Sequence, residues 1–428
     1  MVSSGLTVLF AGGWLLAAGF VAAGPYSAAL DDPANPHDAP VPGFIGRHGI
    51  GKARLQSDVD ENGNPVFQNP DNYVNPLFFA WAGSVVDYSR ADGDLSFSDP
   101  SRALGEVTGD NFDVVSLGDQ TAGRIAAGNP AGSITLELAR PVRNLSGADF
   151  VVFENGLVAR SNTGGAGSGG ILAELAYVEV SSNGLDFFRF PPTSLTTSAV
   201  GGYGSISATN VLNLAGKHVN SYATSWGTPF DLAQVGLQEV THIRLVDIPG
   251  DGSFKDRAGS SIYDAWLTFG SGGFDLEAVG VISSAMTYDL WPPLQYLAIS
   301  QRGAADDPDG DGLPNLLEYA FGRSPWQADA GGAGPSIRQM EFCFTRDERL
   351  VDLTYSVQVS GSLASGSWTT LASSVGGTPL QAAAGKFPVI SESPASGISS
   401  IGVFREVRIR EASPGPQSYF RIEISRTP

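Results

Sequence analysis

Short apolar runs separated by clusters of Gly, Pro, Asn and Asp fill most of this chain, and most of the runs alternate apolar with polar residues. Phe112-Asp113-Val114-Val115-Ser116-Leu117, Ser133-Ile134-Thr135-Leu136-Glu137-Leu138 and Val240-Thr241-His242-Ile243-Arg244-Leu245-Val246 are examples. A period of two puts every second side chain on one face of an extended backbone, so these runs predict half-buried strands. From Leu77 to about Ile282 they follow one another with few helical signals. A mainly β fold is expected there, an antiparallel β-sandwich over 77–282.

The rest of the chain divides by the same signals. Residues 24–76 are rich in Pro, Asn, Asp and Gly and predict a loop-rich segment. Residues 283–300, with Pro292-Pro293, are expected as a linker. A loop-and-helix unit over 301–326 and a Gly/Ala-rich hinge over 327–335 follow. In 336–428 alternation returns, as in Leu353-Thr354-Tyr355-Ser356-Val357-Gln358-Val359, and predicts a second, smaller β-sandwich.

The start of the chain is different. Leu6 to Val21 is apolar apart from Thr7 and glycines, and no charged residue precedes Asp31. The run is too short and glycine-rich for a comfortable membrane span. Val21-Ala22-Ala23 offers small residues to a signal peptidase, so 1–23 is expected to be a leader cleaved after Ala23. The mature protein is then expected outside the cell or at its surface, with no integral membrane span.

Charge narrows the partners. In 428 residues the net charge is −19, which leaves no basic stripe to neutralise phosphates and excludes nucleic acid. Hydrophobic residues make up 42%, enough to build cores and exclude wholesale disorder. The single cysteine, Cys343, cannot form an intramolecular disulfide and is expected as a buried, inert thiol.

One motif carries strong chemistry. Asp307-Pro308-Asp309-Gly310-Asp311-Gly312-Leu313-Pro314-Asn315-Leu316-Leu317-Glu318 fits the EF-hand loop at each ligand position. Asp307, Asp309 and Asp311 alternate so that three carboxylates converge, and Gly312 sits where the chain must turn sharply. Leu313 offers its backbone carbonyl, Asn315 holds the ninth position, and Glu318 closes the shell. Six to eight flexible oxygens suit calcium better than magnesium. A helix is expected from Asn315 to Phe321, stopped by Gly322. Pro314 and the broken entering segment set the loop apart from paired EF-hands; it resembles single dockerin-like or thrombospondin type 3-like calcium loops. Asp58-Val59-Asp60-Glu61-Asn62-Gly63 is a weaker echo with no closing acid at Asn69, expected as a hairpin turn.

A wider resemblance rests on Pro100-Ser101-Arg102-Ala103-Leu104-Gly105, Ala148-Asp149-Phe150-Val151-Val152-Phe153-Glu154-Asn155, Ala176-Tyr177-Val178-Glu179-Val180-Ser181 and Gly273-Phe274-Asp275-Leu276-Glu277-Ala278-Val279. In this order they resemble the "cell surface protein" family of bacterial exported proteins, often seen with a PEP-CTERM sorting tail, over about 77–282. The order is also similar to discoidin-like or galactose-binding-like jelly rolls. The resemblance implies a jelly-roll fold and a surface location.

Other chemistry is thin. His37, His48, His218 and His242 form no metal-like spacing, and no nucleophile elbow, phosphate loop or zinc pattern occurs. Glu154, Glu174, Glu179, Asp247, Asp251, Asp264, Asp275 and Glu277 lie in or beside the family motifs. Of these, Glu154, Glu179, Asp247, Asp275 and Glu277 are candidates for a second metal or ligand site. Two such acids held 5–10 Å apart would serve a glycosidase instead, and a structural role is the third reading. Tyr203, Tyr222, Trp226, Tyr263 and Trp266 offer aromatic surface for a sugar or for packing. The leading expectation is a non-enzymatic, calcium-binding adhesion or glycan-binding protein. A secreted polysaccharide hydrolase and a purely structural envelope protein are its rivals.

Overall fold

The computed structural model describes residues 24–27, 38–46, 72–159, 164–167, 169–221, 225–328, 334–395, 403–415 and 417–427. The expected leader 1–23, His37, His48, the acidic echo 58–63, Tyr222 and most of the 327–335 hinge lie outside them. The protein is mainly β, with antiparallel pairing throughout its named strands.

Ten strands form the main sheet of the first unit: β1 (Val41–Pro42), β2 (Ala80–Ser89), β3 (Val115–Ser116), β4 (Ser133–Arg143), β5 (Phe150–Glu154), β6 (Ala176–Ser181), β7 (Phe188–Arg189), β8 (Trp226–Phe230), β9 (Glu239–Asp247) and β10 (Asp275–Val281). Their order is β1-β8-β5-β10-β2-β4-β9-β6-β7, with β3 added to β10. The sheet curls at β2. Ala80 and Trp81 pair with Val281 and Gly280 of β10, whereas Ala82 to Ser89 pair with β4 through two register shifts. Each shift bends the strand and strengthens its twist, so one long strand serves both halves of a half-barrel.

Alternation decides which faces are buried. Ile134, Leu136 and Leu138 of β4, Val178 and Val180 of β6, and Ile243 and Leu245 of β9 share one core with Phe150, Val152, Val279 and Val281. The opposite faces of β5 and β10 send Val151, Phe153 and Ala278 into another cluster with Val41, Phe44 and Trp81. β5 and β10 are therefore covered on both sides. The segment expected to be loop-rich, 24–76, supplies β1, a short strand pair (Phe44–Gly46 with Asn72–Val74) and part of that cover.

The second unit contains β11 (Ser336–Arg338), β12 (Glu341–Asp347), β13 (Leu353–Ser360), β14 (Thr369–Val375), β15 (Gln381–Ala382), β16 (Pro388–Pro394), β17 (Phe404–Glu411) and β18 (Tyr419–Arg426). They form two four-stranded sheets, β11-β12-β17-β16 and β15-β14-β13-β18. Phe344, Val407 and Ile409 from the first meet Tyr355, Val357 and Leu371 from the second in a common core. Cys343, between Phe342 and Phe344 and so on the other face of β12, is buried too.

The expected linker is not one. Residues 288–301 fold into three short 3-10 turns, and Met286, Tyr288, Trp291 and Leu294 enter the core of the second unit. Pro292-Pro293 opens a turn, where a proline's missing amide costs nothing, and the apolar residues around it pull the segment inward. α1 (Ala122–Ala126) is capped by Thr121, and α2 (Asn315–Phe321) follows the acidic loop. Among the described residues no helix is long and apolar enough to cross a membrane.

Candidate functional site

The acidic loop is drawn together by its own backbone. Asp307 accepts from Gly310 N and Gly312 N, both at 3.0 Å, Asp309 from Asp311 N at 3.2 Å, and Asp311 from Leu313 N at 2.8 Å. Gly310 and Gly312 stand at φ +74° and +94°, the left-handed region in which a side chain would be strained. The result is that one carboxylate oxygen from each of Asp307, Asp309 and Asp311 lies within 4.8 Å of the others. Among the described residues this is the one such group of three metal-type side chains. Asp309 Oδ2 is buried without a hydrogen-bond partner. Burial, and then the charges of Asp311 and Asp307, raise the Asp309 carboxyl above its ordinary value.

The remaining loop positions fall around this triad. Glu318 stands outside the 4.8 Å group and is wholly buried on α2. Asn315 is buried too. Its amide donates to Gln301 O at 2.8 Å and Gly303 O at 3.0 Å, and its Oδ1 has no partner. Asn315 thus ties the entering segment to the helix start. Leu313 belongs to the loop turn through its amide. Tyr319 and Phe321 then bury in the second unit, with Tyr319 Oη donating to Asp352 Oδ1 at 2.8 Å.

A second group of acids collects at one end of the curled sheet. Glu154 ends β5, Asp275 begins β10, Asp247 ends β9, and Glu174 lies just before β6; antiparallel pairing brings these ends to the same rim. A cleft of about 220 Å³ opens there, lined by Glu154, Glu174 and Asp275 with Asn111, Asn155 and Ser271. Phe97 and Phe112 also line it, their rings stacked at 6.4 Å. Glu154 accepts from Gly156 N at 2.8 Å and Glu174 from Gly273 N at 3.1 Å. Burial and the Asp275 charge push Glu154 and Glu174 well above the usual carboxylate range. Burial pushes Asp275 up to about 7, against the pull of the Ser116 and Ser271 hydroxyls and the Arg90 charge.

The other candidates serve elsewhere. Asp247 accepts from Phe274 N at 2.8 Å and Asp264 from Leu175 N at 2.8 Å, each bracing a loop behind the cleft. Glu277 sits at a register shift of β10 that turns it toward Thr108 N and Gly109 N, both at 2.6 Å, and toward the Asn220 amide. Glu179 faces away from the group entirely and pairs with Arg189 at 2.8 Å and Arg244 at 3.5 Å. Asp251 caps its own turn through Ser253 N. Trp226 belongs to a core cluster and Trp266 donates to Gln120 O, so neither offers a free sugar platform, whereas Tyr203 is exposed. His218 is buried against Asp38 O, beside the Lys217–Asp38 ion pair.

No protein-family model matches this chain, and no curated protein matches it. The site therefore has to be read from its own chemistry. Sequence reasoning missed Asp119, which accepts from Thr268 N at 2.9 Å and is raised by burial to about 7. Its Gly118-Asp119 dipeptide looks like any turn, and nothing local marks that Thr268 closes over it.

Proposed function

We propose that this chain is an exported, calcium-binding protein of the cell surface or extracellular matrix, built of two β-sandwiches and acting by binding. The observation that carries the calcium reading is the meeting of Asp307, Asp309 and Asp311 within 4.8 Å on a loop shaped by two left-handed glycines. An all-oxygen set with carboxylates in alternate positions suits a hard cation, and the six to eight oxygens such a loop offers suit calcium over magnesium. Glu318 would close the shell from the first turn of α2. The ion would then fix a helix whose Tyr319 and Phe321 are part of the second unit's core.

The curled sheet with its filled inner face supports a jelly-roll-like reading of the first unit, and the resemblance to exported surface proteins supports the location. A glycan or other surface component is the ligand class this implies. The hydrolase reading draws on Glu154, Glu174 and Asp275, which share one cleft. Against it, the acids around that cleft are mostly committed to backbone amides, as loop braces are.

Calorimetric titration of calcium into the chelator-treated protein tests the loop. Extracellular modules bind at roughly 0.1–1 mM, and Asp309→Ala and Glu318→Gln should weaken that binding by removing a ligand charge. Retention of the loop isotherm in both variants would overturn the assignment. A glycan array run with and without calcium tests the binding role.

A further inference from the structure

The cleft at the rim of the half-barrel is lined by the first unit alone. An ion needs ligands that converge on one point, and among the described residues only Asp307, Asp309 and Asp311 form such a group. The rim acids do not. The Asp275 carboxylate is closed off from the cleft and faces the Ser116, Ser271 and Asn155 side chains. What stays open is a space of about 220 Å³ with separate polar groups on one side and apolar ones on the other.

Glu154 is 1% exposed. Its Oε2 accepts from Gly156 N at 2.8 Å, and Oε1, with no such bond to any described residue, is left to the cleft. Glu174, held by Gly273 N at 3.1 Å, and the Asn111 amide add further polar groups. Facing them are Phe97 and Phe112, with ring planes 18° apart, and Leu157 and Leu172, paired across a short strand ladder. Phe112 is 53% exposed, so its ring is surface left uncovered. Phe97 stands at φ +54°, costly for a bulky residue, with Ser116 N donating to its carbonyl at 2.8 Å.

Charge narrows the ligand. No Lys, Arg or His lines the cleft, so an anion would meet no counter-charge. Arg90, whose charge reaches Asp275, is committed to Asp92 and to Gly270 O, both at 2.6 Å. Burial, and then the Asp275 charge, makes Glu154 and Glu174 hold their protons well beyond the usual carboxylate range, and a cation would have to displace them. A protonated carboxyl both donates and accepts, as a sugar hydroxyl does.

We propose that the rim cleft holds one ring of a neutral sugar, its C–H face against Phe112 and its hydroxyls on Glu154, Glu174 and Asn111. A ring meets separated groups at separate hydroxyls, so the acids need not converge. The space falls below the roughly 300–1,000 Å³ of pockets that enclose a whole drug-sized ligand, which suits a single ring of a longer glycan. This site rests on the reading of the chain as a glycan binder and gives that role a place and a ligand class. Of the acids in the family motifs, Glu154 and Glu174 take part, while Glu179, Asp247, Asp275 and Glu277 do not.

The test uses the full chain with calcium on an array of neutral hexose oligosaccharides beside sulfated and uronic-acid ones. The neutral oligosaccharide with the strongest signal is then titrated, free, by calorimetry. The wild type should prefer neutral glycans. Phe112→Ala should weaken binding about tenfold, the worth of one lost aromatic contact. Glu154→Gln keeps an oxygen for Gly156 N but leaves the cleft a donor only, and should weaken binding about threefold to tenfold. Tyr203→Ala, an exposed aromatic outside the cleft lining, should bind as the wild type does. Circular dichroism checks that each variant is folded. Unchanged affinity in either Phe112→Ala or Glu154→Gln overturns the cleft and leaves the binding role standing, as does a preference for sulfated or uronic-acid glycans. No binding to any glycan removes the binding role itself, and this site with it.

Discussion

Asp149 shows how this protein uses most of its buried acids. It is fully buried, and its two oxygens accept from Leu145 N at 3.0 Å and Leu232 N at 2.7 Å, tying two loops to the start of β5. Burial pushes its carboxyl up to about 7, as it does those of Asp119, Asp275 and Glu277. Glu154, Glu174, Asp247 and Asp264 are raised well above their ordinary values for the same first reason. An acid whose folded pKa is raised keeps a proton that the unfolded chain has released. Its stabilisation is full below the unfolded value and is lost as pH rises through the folded one. His218 acts oppositely: burial keeps the imidazole neutral, so stability falls as pH drops through 6.5. Eight acids outweigh one histidine. The metal-free protein is expected to melt higher at about pH 5 than at about pH 8, measured by calorimetry in chelator. A midpoint that drops steadily on acidification over that window would contradict the burial of these groups as acids. Part of this was legible in the sequence. Alternation alone puts Glu179 opposite the core residues Val178 and Val180, and it does face Arg189 and Arg244. Glu154 and Asp275 stand at strand ends, where only tertiary pairing decides which loops face them.

At the scale of elements, local signals and long-range ones part company. The helix expected from Asn315 to Phe321 is found over Asn315–Phe321, because its start, apolar face and glycine stop are all written within a few residues. The pairing of β1 with β8 joins Val41 to Gly227, and no local pattern could reveal that contact. The 288–301 turns were hidden for another reason. Their prolines carry the composition of a linker, and their apolar residues lack a period. Gly322 gives the helix a testable end. It adopts φ +67°, and a Cβ there would run into the Phe404 ring. Gly322→Ala should therefore combine left-handed strain with overpacking, at about 2–3 kcal/mol in urea denaturation. Gly310→Ala has φ +74° and open space around it, so strain alone should cost about 1 kcal/mol in chelator. If the two variants lose the same stability, α2 is not wedged against Phe404 and β17.

At the scale of the whole molecule, the two β units are joined by burial as well as by chain. Arg349 is 2% exposed and pairs with Asp347 at 2.7 Å, while its Nη1 donates to Leu77 O at 2.6 Å and to Ile282 O at 3.4 Å in the first unit. Val403 joins the cluster of Val41, Phe44 and Trp81, and Tyr73 packs against Tyr296 at 5.0 Å and Trp326 at 4.8 Å. With Ser283 and Met286 buried, the segment between the units offers a protease little extended chain. Limited proteolysis of the folded protein should leave 283–300 intact. Arg349→Ala should change that, because it strands the Asp347 carboxylate and unties both first-unit carbonyls. A loss of about 3–5 kcal/mol is the usual result of breaking a buried pair from one side. Replacing both partners, Arg349→Met with Asp347→Leu, removes the stranded charge and should recover much of the stability. It cannot restore the bonds to Leu77 and Ile282. The double variant should therefore be more stable than Arg349→Ala yet still be cut within 283–300 faster than the wild type. If the wild type is itself cut rapidly there, the units are tethered rather than docked, and the Arg349 bridge does not hold them.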